Sequence, residues 1–285
     1  MSHRSRRPAN PQMQPFIPLL TTLLPVLYAL SVAAYARAYV REGSAGDRLG
    51  PMVLKAAVLL HLVYLTTRGI LAGHLPLASV YDFLSATGFS MAVVYLYVET
   101  REGIRTTGVF VLPIVFLIQI VSSAYGGQIV SEDVPLKPIW FELHTLTAVL
   151  GYSAFAVSAI YGVLFLLLYR DIKANRFSLF FRRMPPLEAL GQMNIRAAGG
   201  GLAFLTLAIV LGVGWLERSG RGSLGDPKIW LTVFVWAVFA FALLAYHRLG
   251  WRGPRAIYMS LIGFTTLLLS RVAVDLFLHS FHSFR

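Results

Sequence analysis

Of the 285 residues, 56% are hydrophobic and only 13% charged, with a mean hydropathy of +0.66. A soluble domain is about half apolar and about a quarter charged, so this balance excludes an ordinary soluble fold and points to a lipid solvent. The net charge of +12 lies in short loops between apolar blocks, which favours lipid headgroups over nucleic acid as the partner of the basic residues.

The apolar residues form eight blocks, at about 16–39, 52–73, 77–98, 107–125, 140–169, 196–216, 229–247 and 256–281. A helix needs about 20 apolar residues to cross a bilayer. Only helices and closed barrels satisfy their backbone there, and none of the blocks shows the alternation of a barrel strand over about 10 residues. The expected fold class is all-α: a polytopic integral membrane helical bundle of about eight transmembrane helices. The longest loop is about 26 residues, so the chain reads as a single transmembrane domain over 1–285.

The first block follows a basic start at Arg4, Arg6 and Arg7, and Ala34-Tyr35-Ala36 resembles a signal cleavage site. Its apolar run exceeds the roughly 7–15 residues of a signal peptide, which favours an anchoring helix. The loops after blocks 1, 3, 5 and 7 hold 13 Lys and Arg, whereas the opposite side holds 8. Excess basic residues mark cytoplasmic loops, so both termini are expected outside, in a multi-pass protein of the inner (plasma) membrane.

Within block 2, Arg68 follows His61 by seven residues on the same helix face. Ionisable groups inside a membrane mark either a function or a buried polar pair that ties helices together. Glu132 and Asp133, between blocks 4 and 5, read as solvated loop charges. Block 5 opens with Trp140 and His144, which share a face at i and i+4. From Arg170 to Arg183 basic and aromatic residues interleave, as Lys173, Arg176, Phe177, Phe180, Phe181 and Arg182 show. That pattern predicts a helix lying on anionic headgroups.

Between blocks 6 and 7, Asp226 and Pro227 read as the N-cap and first residue of a helix, followed by Lys228 and an interface-belt Trp230. The Gly-rich stretch before them matches no nucleotide-binding fingerprint. His247 closes block 7 on the inner side. In block 8, Arg271 and Asp275 are spaced for an ion pair, although Arg271 also suits a carboxylate such as a haem propionate. His279 and His282 share nearly the same face at the outer end.

His144 and His282 are thus expected at one edge of the bundle, where two neutral imidazoles can ligate haem iron from opposite faces. His279 is a rival for the second ligand, and each histidine taken alone also reads as an interfacial residue. Cysteine is absent, which leaves no thiolate metal site and no CxxCH attachment motif. Any haem is therefore expected to be held non-covalently, as haem b.

With these residues in hand, the chain resembles the CcsA/ResC/HemX group of cytochrome c assembly membrane proteins, including its shorter YpjD-like members, from about residue 55 onward. Arg68 with Gly73-His74-Leu75-Pro76-Leu77-Ala78-Ser79-Val80-Tyr81-Asp82 is similar to the group's R…GHxPxSNxYES segment. Trp140-Phe141-Glu142-Leu143-His144, with Tyr152 beyond it, is similar to its W-x-x-x-H…Y helix. Met184-Pro185-Pro186-Leu187-Glu188, Leu205-Thr206-Leu207, Gly250-Trp251-Arg252-Gly253, Val274-Asp275-Leu276 and His282-Ser283-Phe284 follow in the group's order.

The resemblance implies haem handling. It assigns the outer ligands to His144 and His282, in preference to His279. It places Trp140, Asp226, Pro227, Lys228 and Trp230 around the haem. It gives His247 to a second, inner haem site completed by a CcsB/ResB-type partner, and it names apocytochrome c as the acceptor. The group's WGxxWxWDPKExW loop is reduced here to Gly225-Asp226-Pro227-Lys228-Ile229-Trp230. A place as subunit of a cytochrome c haem lyase is implied, but the shortened loop counts against catalysis. The expected function is delivery or presentation of haem at the outer face. The alternatives are a HemX-like regulator or scaffold of haem metabolism, and a small-molecule transporter lined by His61, Arg68 and Arg271.

Overall fold

The structure is a computed structural model that describes residues 16–41, 43, 45–77, 79–126, 139–219 and 225–277, with the side chains at 219, 228 and 271–277 outside the description. His282, His279, the Arg271–Asp275 pair, the Lys228 side chain, Glu132 and Asp133 therefore lie outside the described residues, as does the basic start of the chain. The described residues are helical: α1 (Phe16–Val40), α2 (Gly46–Ala72), α3 (Val80–Glu102), α4 (Gly108–Tyr125), α5 (Ile139–Lys173), α6 (Leu179–Arg183), α7 (Leu187–Ser219), α8 (Pro227–Arg248) and α9 (Pro254–Phe277). Seven of them, α1 to α5, α7 and α8, are long and apolar enough to cross a membrane, and α9 falls on the eighth apolar block. The chain is a multi-pass helical membrane protein, as its composition predicts.

Two expectations are corrected. The sixth apolar block begins at Arg196, but its helix begins nine residues earlier, at Leu187. The added turns mix polar with apolar residues, yet they bury Leu190, Met193 and Asn194. Arg196, one of the 13 basic residues assigned to the loops, is consequently a helical residue, ion-paired with Glu102. The basic-aromatic stretch 170–183 is not one surface helix. α5 runs on to Lys173, and Asn175 then turns the chain in the left-handed region at φ 51°, which Asn tolerates better than most residues. Ser178 starts the short α6 by accepting a hydrogen bond from the Phe181 N–H at 3.2 Å.

Contacts divide the chain into two compact units, and the division falls inside α3 and α4. The first comprises Met1–Ala92 and Leu112–Pro138, the second Val93–Val111 and Ile139–Arg285. In the first unit α1 and α2 form a hairpin over Ile17, Leu24, Tyr64 and Leu71. A Cβ at Gly50 would lie 3.1 Å from the Tyr35 ring, so the hairpin closes where α2 lacks a side chain.

His61 is fully buried in that unit. Its Nδ1 hydrogen-bonds the Tyr28 hydroxyl at 3.0 Å and its Nε2 the Ser85 hydroxyl at 2.9 Å. Ser85 in turn donates to Gln119 Oε1 at 3.2 Å. Side chains of α1, α2, α3 and α4 thus share one polar chain, which satisfies groups that the lipid interior leaves without water. Arg68, on the same face of α2, donates through Nε to Asp82 Oδ1. Ser79 accepts from the Asp82 N–H at 3.0 Å and donates to Asp82 Oδ2 at 2.8 Å, a capping arrangement at the start of α3. Of the two readings of His61 and Arg68, the geometry fits the tie between helices.

The second unit packs α5, α7, α8 and α9 together. Gly151 and Gly201 let α5 and α7 approach closely: a Cβ at Gly151 would meet Leu205 N at 3.1 Å and Gly201 O at 3.2 Å. Small residues at such crossings are the usual means of close helix packing in membranes. The space left by Gly201 and Gly263 admits Phe155 and Phe239, whose rings stack 3.7 Å apart. Asn194, fully buried on α7, donates to Ser158 O and Ser158 Oγ on α5, and to Ser260 Oγ on α9 at 2.9 Å.

Candidate functional site at the head of α5

His144 lies in the second turn of α5, one turn past Trp140, and it is partly exposed. Facing it on α7 is a single stripe: Ala208, Gly212, Trp215 and Arg218, spaced four, three and three residues apart. His144 Nδ1 lies 2.7 Å from the carbonyl oxygen of Ala208. A carbonyl only accepts, so Nδ1 carries the proton and donates it. In the neutral ring Nε2 is then the lone-pair nitrogen, the atom an imidazole uses to bind a metal.

Gly212 makes this contact possible. A side chain at i+4 on a helix covers the carbonyl of residue i. A Cβ at Gly212 would come 2.8 Å from His144 Nδ1 and 2.9 Å from Cε1. With glycine there, the imidazole lies directly on the backbone of α7 and reaches the second lone pair of the Ala208 carbonyl.

Phe141 lies beside the ring, and Trp215 packs against Phe141. Phe141 stands edge-on to Trp215 at 5.1 Å and tilts toward His144 at 6.4 Å. The Arg218 guanidinium sits 4.4 Å over the Trp140 ring. This contact fixes the exposed indole and places a cation at the edge of the cluster. The chemistry of the donor set fits haem on this side: an imidazole held through Nδ1, flat apolar surfaces, and an arginine able to meet a carboxylate.

The structure thus brings Trp140 and His144 together and adds Phe141, Gly212, Trp215 and Arg218, which sequence reasoning missed. The stripe spacing of 208, 212, 215 and 218 is visible in the sequence, but nothing there ties it to His144. Asp226 is buried and its carbonyl accepts from the Ile229 N–H at 3.0 Å, so α8 starts at Pro227 as the Asp-Pro pair predicts. Trp230 is 63% exposed, as an interface residue would be. His247 is not at this end. It is exposed in the last turn of α8, 5.1 Å from the Tyr246 ring, and 20 residues of helix place it about 30 Å from Pro227. His282, the second expected ligand, lies outside the described residues. Among the described residues no group of three or more His, Asp or Glu gathers as a metal site.

The profile of the cytochrome c assembly protein family matches residues 75–282. The chain is 25% identical over 257 residues to a cytochrome c biogenesis protein CcsA of Heterosigma akashiwo, covering 78% of this chain and 80% of that protein. It is 23% identical over 291 residues to a CcsA of Trieres chinensis, covering 91% and 93%. It is 26% identical over 252 residues to Protein HemX of Brevibacillus brevis, covering 86% and 90%. The matched region contains α3 to α9 and every residue of the α5–α7 cluster, and the chain belongs to the cytochrome c assembly protein family.

Proposed function

We propose that this protein binds haem b non-covalently in the inner (plasma) membrane and presents it at the outer face during cytochrome c biogenesis. His144 and His282 would hold its iron. The observation that carries the reading is the hydrogen bond from His144 Nδ1 to the Ala208 carbonyl at 2.7 Å. It holds the imidazole on α7 through Nδ1 and beside Phe141, so that the neutral ring would offer Nε2 to a metal. Bound haem supplies a redox-active iron centre. This chain orients the ligand through Ala208 and Gly212, shields it with Phe141 and Trp215, and offers Arg218 to a carboxylate. It has no cysteine, so any thiol comes from an apocytochrome c, and a CcsB/ResB-type membrane protein is the expected partner. His247, at the far end of α8, belongs to a second inner site that such a partner completes.

The test is the visible spectrum of the detergent-purified protein, oxidised and reduced, beside His144→Ala and His282→Ala. A low-spin b-type spectrum lost in both variants supports the site. A wild type that stays colourless and takes up no added haem overturns it. The second reading, a regulator or scaffold of haem metabolism, is favoured by the similarity to HemX over 86% of the chain and by the tryptophan-poor sequence 225–230. It predicts the colourless outcome.

A further inference from the structure

Away from the α5–α7 cluster, at the opposite end of α5, a groove of about 440 Å³ runs along the outside of the second unit between α5 and α9. Val163, Leu166, Leu167 and Arg170 form one stripe of α5 at i, i+3, i+4 and i+7, and Tyr258 of α9 stands opposite. Val163 and Leu167 are 47% and 46% exposed, and Tyr258 is 54% exposed. Lys173, three residues beyond Arg170, caps the groove, with its ammonium 4.9 Å over the Tyr169 ring.

The groove is therefore two-sided in its chemistry. Its floor is apolar for about 10 Å along α5, the rise from Val163 to Arg170. Its mouth carries two cations, and the nearby carboxylate of Asp171 accepts a hydrogen bond from Ser178 Oγ at 3.0 Å. Arg170 and Lys173 follow an apolar run without Asp, Glu, Lys or Arg from Thr145 to Tyr169 and precede the turn at Asn175, which puts them at the end of the span. Long basic side chains at that depth direct their charge to the headgroup layer. An occupant must then place an acidic group at the membrane surface and an apolar chain along the helix below it.

We propose that this groove is a binding site for one anionic glycerophospholipid, with its phosphate between Arg170 and Lys173 and an acyl chain along Val163, Leu166 and Leu167 against Tyr258. Charge complementarity and depth both select that occupant: a zwitterionic lipid brings a further cation to a mouth that already has two, and a free phosphate has no use for the apolar floor.

The experiment uses the full-length protein in detergent, relipidated with phosphatidylglycerol or with phosphatidylcholine. Native mass spectrometry reads the retained lipid, and the thermal unfolding midpoint reads its effect. Each basic residue near an anionic surface contributes about fivefold in affinity, so Arg170→Gln/Lys173→Gln is expected to lose about 25-fold in phosphatidylglycerol retention. Arg182→Gln/Arg183→Gln, which removes the same charge from α6, is expected to change it little, and phosphatidylcholine retention stays unchanged in both. Tyr258→Ala, at an exposed position, provides a second variant that leaves the charge intact and is expected to weaken retention through the apolar wall. Equal losses in the two double variants would mean diffuse surface attraction and overturn the site. So would equal retention of the two lipids, or equal stabilisation by glycerol 3-phosphate, which would assign the cations to a free phosphate.

Discussion

His144 donates from Nδ1 to the Ala208 carbonyl at 2.7 Å, and Gly212, one turn along α7, leaves the opening through which it does so. The imidazole's orientation is thus set by a residue with no side chain on another helix. Gly212→Ala puts a methyl carbon 2.8 Å from Nδ1, and the imidazole must swing off the carbonyl. Overpacking of this kind costs about 1–3 kcal/mol in a well-packed site. The expected outcome is a protein that still contains His144 but whose b-type spectrum is weakened or converted to high spin. Gly214→Ala, where a Cβ would meet nothing within 4 Å, leaves the spectrum as it is. If Gly212→Ala binds haem with an unchanged spectrum, the contact does not position the ligand.

The Arg68–Asp82 pair makes a separate prediction in the first unit. Arg68 is 3% exposed and Asp82 9%, and Asp82 also closes the cap on Ser79. Removing one member of a buried pair leaves an uncompensated charge and costs about 3–5 kcal/mol, whereas replacing both with apolar residues is often close to neutral. Asp82→Leu is expected to lower the thermal unfolding midpoint sharply, and Arg68→Met/Asp82→Leu to recover most of the loss. A double variant no more stable than the single one would mean that Arg68 has work besides holding α2 to α3.

How much of this is legible in the sequence depends on which solvent sets the pattern. Lipid imposes long apolar blocks, so the helices are visible and most of their ends are close. The start of α7 is not, because only one face of Leu187–Ile195 is buried, with Leu190, Met193, Asn194 and Ile195 against protein while Glu188 and Gln192 stay exposed, and protein tolerates Asn194 where hydrocarbon does not. The turn at Asn175 is hidden because a basic-aromatic run suits a surface helix and a broken one equally well. For the site, His144 stands out by its place one turn after Trp140. Gly212 does not, since a glycine in an apolar helix fits any close crossing, as Gly151 and Gly201 illustrate in the same unit. What makes it specific is that it opens the way to a hydrogen bond between His144 and Ala208, 64 residues apart, which no local pattern encodes.

The turn between α8 and α9 explains one of the short motifs in backbone terms. Gly250 and Gly253 both have φ of 66°, and Trp251 N–H returns to the Ala245 carbonyl at 3.1 Å. A residue with a Cβ pays about 1–2 kcal/mol in that left-handed conformation. Gly250→Ala and Gly253→Ala are each expected to lower the unfolding midpoint, although a methyl at either position would meet nothing within 4 Å. Gly200→Ala is the comparison: it too has open space, but its helical backbone carries no strain, so it is expected to be neutral or slightly stabilising. A similar loss in all three would assign the effect to something other than backbone strain.

His247 tests whether the chain alone holds one haem or two. It is exposed at the end of α8, about 30 Å of helix from Pro227. Its ring neighbour there is Tyr246, which itself lies under the Arg252 guanidinium at 5.6 Å. A haem held there by His247 would need a second ligand, and in the proposed function the partner supplies it. With the chain purified by itself, His247→Ala is therefore expected to leave both the amplitude and the shape of the spectrum unchanged, while His144→Ala removes it. Co-purified with a CcsB/ResB-type partner, the same variant is expected to lose about half the haem, because the site it shares is then complete in the wild type. If His247→Ala already loses haem in the isolated chain, the inner site needs no partner and the proposed division of ligands fails.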